Sequence, residues 1–196
     1  MANKQMDLST IPSEVNKIPW RRVDYRFESL SLIIDGLSKA ITSCKERMEL
    51  GGWYDAIWLR EDTEPIFGLA FIACQNYIYG SIKDASVILG LSNYKSVISN
   101  TSPRIKPYNR TKIELIIALA NYSKHLDDNL TTGTINMLKA FKLNYGDIDV
   151  TESPIFEGLS LLNNEWDLQD ILSMVKEWRE SLWSDKGYPR DSNVQL

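Results

Sequence analysis

The apolar positions of this chain recur mainly at intervals of three and four residues, the period of a helix that buries one side. Between Tyr25 and Leu50, the positions Phe27, Leu30, Ile33, Ile34, Leu37, Ile41 and Met48 keep that spacing, and Gly51-Gly52 supplies a stop. A second helical stretch begins near Trp53 and runs through Gly68, Phe71, Ile72, Asn76, Tyr79 and Ile82 to about Leu89. Pro65 interrupts it and leaves two outcomes open: Thr63 caps a new helix, or one continuing helix kinks. From Gly90 to Asn109 the density of Gly, Ser, Asn and Pro reads as a long connection with one helical turn near Lys95 to Ser99.

The next helix, from about Arg110 to Leu126, is the most patterned segment. Ile113, Ile116, Ile117 and Ala120 form its buried stripe, and Glu114, Asn121 and His125, seven and then four residues apart, form a polar row beside it. An Asp127-Asp128-Asn129 turn follows. Thr134 is expected to cap a short helix through Ile135, Leu138 and Phe141 that closes near Asn144 to Gly146. Pro154 opens another through Phe156, Leu159 and Leu162, and the last helix, about Trp166 to Trp183, aligns Leu168, Ile171, Leu172, Val175, Trp178 and Leu182. The one alternating stretch, Asp147-Ile148-Asp149-Val150, is too short to change the class. The pattern predicts an all-α fold: a single-domain helical bundle of about four long helices with shorter connecting ones. Residues 1–19, with Pro12 and Pro19, read as an extended N-terminal arm, residues 20–185 as the bundle, and residues 186–196 as a loose C-terminal tail.

Length and composition narrow the function classes. A chain of 196 residues suits one well-buried core. Its net charge of −4 disfavours broad nucleic-acid binding, which needs clustered Lys and Arg; the nearest basic runs, Trp20-Arg21-Arg22 and Arg104-Ile105-Lys106, are short. The longest strongly apolar run, Ile66 to Ala73, cannot span a bilayer, and the first residues lack a signal-peptide core, so a cytoplasmic location without membrane contact is expected. Cys44 and Cys74 fall in helical patterns without metal-ligand spacing and read as small buried hydrophobes in a reducing compartment.

The usual catalytic signatures are missing. There is no GxSxG, Gly-rich phosphate loop or HExxH, the chain contains no Glu-x-x-His, and a lone histidine cannot build a multi-histidine metal site. No metal and no cofactor is therefore expected. Glu61 and Glu64 would put two carboxylates on one helical face; as acid and base they would need a raised pKa, whereas acidic residues around a proline at a helix start also follow from the helix dipole. Six Trp and nine Tyr are a further informative feature, and most aromatics of a helical bundle fill its core and cover its helix ends. Trp53 and Trp166 neighbour acidic residues, in Trp53-Tyr54-Asp55 and Glu165-Trp166-Asp167, and aromatic anchors rimmed by charge are a common interface design.

Asn121-Tyr122-Ser123-Lys124-His125 resembles the Arg-Asn-x-x-x-His signature of the HEPN helical-bundle superfamily, many of whose members are ribonucleases that act as dimers or toxin components. The resemblance covers about six residues and implies an all-α fold, with Asn121 and His125 at the motif's Asn and His positions. The motif's arginine position is Ala120; Arg110 or Lys124 would have to replace that charge. The stretch Leu119 to His125 is also similar to stretches of bacterial sequences that carry no assigned function. The chain as a whole resembles small bacterial proteins of immunity or antitoxin type.

Two functions are set against each other. The leading expectation is a non-catalytic, acidic, helical binding protein that neutralises a basic toxin, a nuclease, by covering its cationic cleft, with no direct nucleic-acid contact. Its expected contacts are Glu61, Asp62, Glu64, Asp127, Asp128, Trp53 and Trp58. The alternative is a metal-independent ribonuclease, a homodimer with a composite site, using His125 as acid and base, Asn121 to orient phosphate, and Arg110 or Lys124 as the cation. A third arrangement, in which Asn121 and His125 only tether their helix to a neighbour through Glu114, Tyr122 or a tryptophan, needs no activity at all.

Overall fold

A computed structural model describes residues 22–90, 94–126, 128–146, 150–163 and 166–184. The expected arm and tail, and Trp20 and Asp127, lie outside the described residues.

The fold is all-α: seven helices and one two-stranded hairpin among the described residues. Helix α1, Phe27–Glu49, buries Leu30, Ile34 and Ile41 on one narrow stripe and ends at Gly51 and Gly52, whose positive φ values of 76° and 97° favour glycine. Asp55 then caps α2, Ala56–Leu89, its carboxylate accepting from Ile57 N at 2.9 Å and Trp58 N at 3.2 Å. The helix runs through Pro65 unbroken. Thr63 caps nothing; its hydroxyl donates back to the Leu59 carbonyl at 2.6 Å, inside the helix. Gly90 closes α2 in the left-handed region at φ 65°.

The connection after α2 is more ordered than its composition predicts. A seven-residue helix α3, Tyr94–Asn100, is followed by an antiparallel hairpin, β1 Arg104–Ile105 and β2 Arg110–Thr111, with Arg104 opposite Thr111. Strands of two residues carry no readable alternation, which is why the sequence pattern misses them. Helix α4, Lys112–Lys124, starts in a capping box: Thr111 Oγ1 accepts from Glu114 N, and the Glu114 carboxylate accepts from Thr111 N at 2.7 Å. Ile113, Leu115, Ile116, Leu119 and Ala120 are all fully buried, so α4 is wrapped on every side and forms the axis of the bundle.

Helix α5, Thr132–Ala140, is capped by Thr131, three residues before the expected Thr134, because Thr131 Oγ1 is the oxygen that meets Thr134 N. Helix α6, Pro154–Leu162, follows one turn of tighter helix at Val150–Glu152, and α7 spans Leu168–Ser184. Two glycines set the packing distance. A Cβ on Gly158 would stand 2.5 Å from Leu119 Cδ1, and one on Gly68 would stand 2.6 Å from Ser123 Oγ, so α6 and α2 approach α4 at these points. Cys74 is fully buried as expected, and burial pushes its thiol up to about 12; Cys44 is only half-buried. Among the described residues no helix is long and apolar enough to cross a membrane.

Candidate functional site

The polar row on α4 is divided between three environments. Arg110 and Glu114 belong to the start of the helix, where the guanidinium meets the buried, cap-forming carboxylate at 3.1 Å. Asn121 lies in the last turn. Its Oδ1 accepts from Gln75 Nε2 at 2.9 Å, and the Gln75 carbonyl oxygen accepts from Lys124 Nζ. Gln75 is buried on α2, so these two bonds satisfy both ends of its amide. His125 has left the helix: it is the C-cap, with φ −124° and ψ 23°, and its backbone N–H donates to the Tyr122 carbonyl.

Of the four residues of the ribonuclease alternative, Asn121, Lys124 and His125 lie within one turn at the end of α4, and Arg110 stands before its other end. Arg110 lies in β2 before α4 and His125 follows its last turn, so the thirteen residues of the helix, about 20 Å at a 1.5 Å rise, lie between them. Lys124 and Asn121 are both engaged by Gln75. Of the expected tethering pair, Asn121 ties α4 to α2, and it does so through Gln75 rather than Glu114, Tyr122 or a tryptophan; the sequence does not single out Gln75 because it lies 46 positions away from Asn121.

Just beyond the C-terminal end of α4 opens a cleft of about 610 Å³, lined by α2, the turn after α4, α5 and the segment before α6. It brings together Glu64 and Asp128, two of the expected contact carboxylates; Asp127 lies outside the described residues. Leu126, Leu130, Ile135 and Val150 give it an apolar wall, and Tyr122, Asn129, Tyr145 and Ser153 add polar atoms. Ser153 does two jobs: its hydroxyl donates to Glu64 Oε1, and its oxygen caps α6 by accepting from Ile155 N at 3.2 Å. Tyr122 is pushed up to about 12, by burial first and by the negative charge of Glu64 second, so it remains a neutral hydroxyl at physiological pH. Among the described residues, Glu64 has no Lys, Arg or His partner, and no cationic side chain lines the cleft.

The remaining expected contacts divide along α2. Ile57, Glu61 and Glu64 follow at helical spacing on one face, with Gly68 next in the row against α4; Ile57 and Glu61 are exposed. Asp62 faces elsewhere, accepting from the Tyr54 hydroxyl at 2.8 Å and standing 3.4 Å from Arg47 of α1. Burial, with that hydrogen bond, raises the Tyr54 pKa, and the phenol and Asp62 together fasten the α1–α2 turn. Trp53 and Trp58 are 72% and 45% exposed and stand edge to face, ring centroids 5.5 Å apart, at the outer end of the same helix. The other described tryptophans fill the interior: Trp178 and Trp183 are buried, and Trp166 packs on Phe67 and Phe156.

Tyr145, Asn129 and Ser153 are the site residues that sequence reasoning did not single out. Ser153 has a signal, since Ser-Pro at a helix start is a cap pattern, but nothing local points its hydroxyl at Glu64. Among the described residues no three His, Cys, Asp or Glu side chains come together as a metal ion would need. The fold and cleft define a helical bundle with an acidic, partly apolar concavity. Compared with known proteins, the chain matches no family model, no curated protein and no solved structure.

Proposed function

We propose that this protein is a non-catalytic acidic binding module that captures a basic protein, acting in the cytoplasm as the immunity or antitoxin partner of a nuclease. The observation that carries the reading is the cleft that holds Glu64 and Asp128 with no cationic side chain among its described lining, on a molecule that also exposes the Trp53–Trp58 pair at the start of α2. Large rings that keep their surface in water give a partner apolar area to bury. Carboxylates without a cationic partner among the described residues, Glu61 and Glu64, would attract a cationic cleft, speed encounter and block the entry of a phosphate chain. Asp62 already serves the α1–α2 turn through Tyr54 and Arg47, so the charge reversal that tests the reading leaves it in place.

The test is affinity capture with the full chain, Glu61→Lys/Glu64→Lys and His125→Ala in parallel, with RNA cleavage assayed in each eluate. The expected result is a stoichiometric basic partner held by wild type and His125→Ala, released by the charge reversal, and silent as a nuclease until separated. A chain that finds no such partner and itself cleaves RNA, losing that activity only in His125→Ala, would overturn the reading in favour of the ribonuclease alternative.

A further inference from the structure

We infer that the cleft at the end of α4 is a receptor for one extended aliphatic cation, an alkylguanidinium or alkylammonium group, with its head on Glu64 and its stem along the apolar wall. The inference rests on the binding reading above for its protein partner, and on the cleft alone for its chemistry. The sign of the ligand follows from the lining: Glu64 and Asp128 are its only charged side chains among the described residues, so an anion is repelled and a cation attracted.

Glu64 narrows the choice. A carboxylate has roughly four acceptor sites. The described hydrogen-bond partners of Glu64 reduce to the Ser153 hydroxyl, which leaves a half-buried anion at the cleft with acceptor capacity unfilled. Charge-assisted donors are what such a group binds most strongly. A bare metal ion does not match, because two carboxylates beside four aliphatic side chains give too few oxygen ligands and too much apolar wall.

The shape asks for length. A volume of about 610 Å³ walled by Leu126, Leu130, Ile135 and Val150 suits a chain of methylenes better than a compact ion, and Lys and Arg side chains carry that combination of apolar stem and charged tip. The guanidinium is favoured over the ammonium, since its planar fork can engage carboxylate oxygens in pairs and sheds water more easily. Tyr145 is not the head-group anchor, because the Lys139 ammonium already stands 5.7 Å from its ring. The tip therefore belongs to Glu64, with Asp128 adding charge at an exposed position.

Calorimetric titration of the full chain with butylguanidinium, butylammonium and, as the neutral control, 1-butanol tests the chemistry. Acetylarginine methylamide and spermidine separate a protein side chain from a free amine as the source. Saturable binding is expected for both butyl cations and for the arginine amide, tighter for guanidinium, and absent for butanol. Glu64→Gln should weaken it about 10-fold or more, the worth of a hydrogen bond to a charged group. Asp128→Lys, at an exposed position, should weaken it by placing a resident cation at the cleft without burdening the fold. Butanol binding as well as the cations, or both variants binding like wild type with unchanged melting temperatures, would overturn the inference. So would the absence of saturable heat for every cation. A chain that captures its basic partner but binds no small cation loses this inference and keeps the binding reading. A chain that binds the cations but captures no partner does the reverse, and spermidine binding without the arginine amide would overturn a protein side chain as the source.

Discussion

At the scale of single residues, the decisive group is Gln75 rather than His125. A buried amide with both ends bonded, to Asn121 and to Lys124, holds α2 against the last turn of α4. Removing Asn121 would leave the buried Gln75 N–H without its acceptor, and an orphaned buried donor costs about 1–3 kcal/mol. Asn121→Ala should therefore lower stability by about that amount in urea unfolding. His125→Ala should stay within about 0.5 kcal/mol of wild type, because both of the histidine's described bonds, to the Tyr122 carbonyl and from Asp128 N, are made by its backbone. The reverse ranking would mean that the imidazole, not the amide, ties the helices. The sequence shows the spacing of Asn121 and His125 plainly. It cannot show that the row's partner lies on another helix, nor that the helix ends one residue short of the histidine.

At the scale of elements, the bundle depends on how closely its helices approach the buried α4. Gly158 faces Leu119 so tightly that a methyl group would stand 2.5 Å from Cδ1 and 2.7 Å from Cδ2. Both partners are buried, so α6 would have to move away from α4. Gly158→Ala is expected to destabilise by about 1–3 kcal/mol, the usual cost of overpacking, despite alanine's better helix propensity. Adding Leu119→Ala should recover part of that loss relative to the sum of the two single changes, since the new methyl would occupy vacated space. Additive costs would show that α6 tolerates the methyl in some other way. The long helices α1 and α7 were legible from their apolar stripes, and α2 from length and hydrophobicity despite Pro65. The hairpin was not, because two-residue strands leave no period. Nor was the cap of α5, where Thr131 and Thr134 are equally good candidates locally and only the geometry chooses between them.

At the scale of the whole molecule, charge is distributed in two distinct ways, one that serves the surface and one that serves the fold. Between Ala85 and Ile113 the chain carries five cations and no carboxylate, and this stretch ends where α4 begins, at the opposite end of that helix from the acidic cleft. On the proposed binding reading, a basic partner would be steered toward the cleft end by that polarity. The second distribution is interior. Arg22 and Arg179, both almost fully buried, share Glu180: Arg22 meets it through two bonds at 3.1 and 2.7 Å, and Arg179 reaches Asp24 at 3.3 Å and the Arg22 carbonyl at 2.6 Å. Tyr77 of α2 donates to Asp24, and Trp183 lies beneath both guanidinium groups, so this network joins the start of the described chain to α2 and α7. Burial by itself would raise the pKa of Glu180. The hydrogen bond and charge of Arg22, with the charge of Arg179, outweigh it and hold the group below its ordinary 4.5. A carboxylate depressed in the folded state contributes stability that is present above its unfolded pKa and is lost as pH falls through the folded one. The urea midpoint should accordingly hold near neutrality and fall below about pH 4.5, where protonating Glu180 leaves two buried guanidinium groups short of an anion. Glu180→Gln should lie below wild type at pH 7 and approach it as the pH drops toward 3, so the gap between the two curves is the contribution of this one carboxylate. Parallel curves across that range would show that the network is already paired by Asp24 alone, and that the acid limb belongs to carboxylates elsewhere in the bundle.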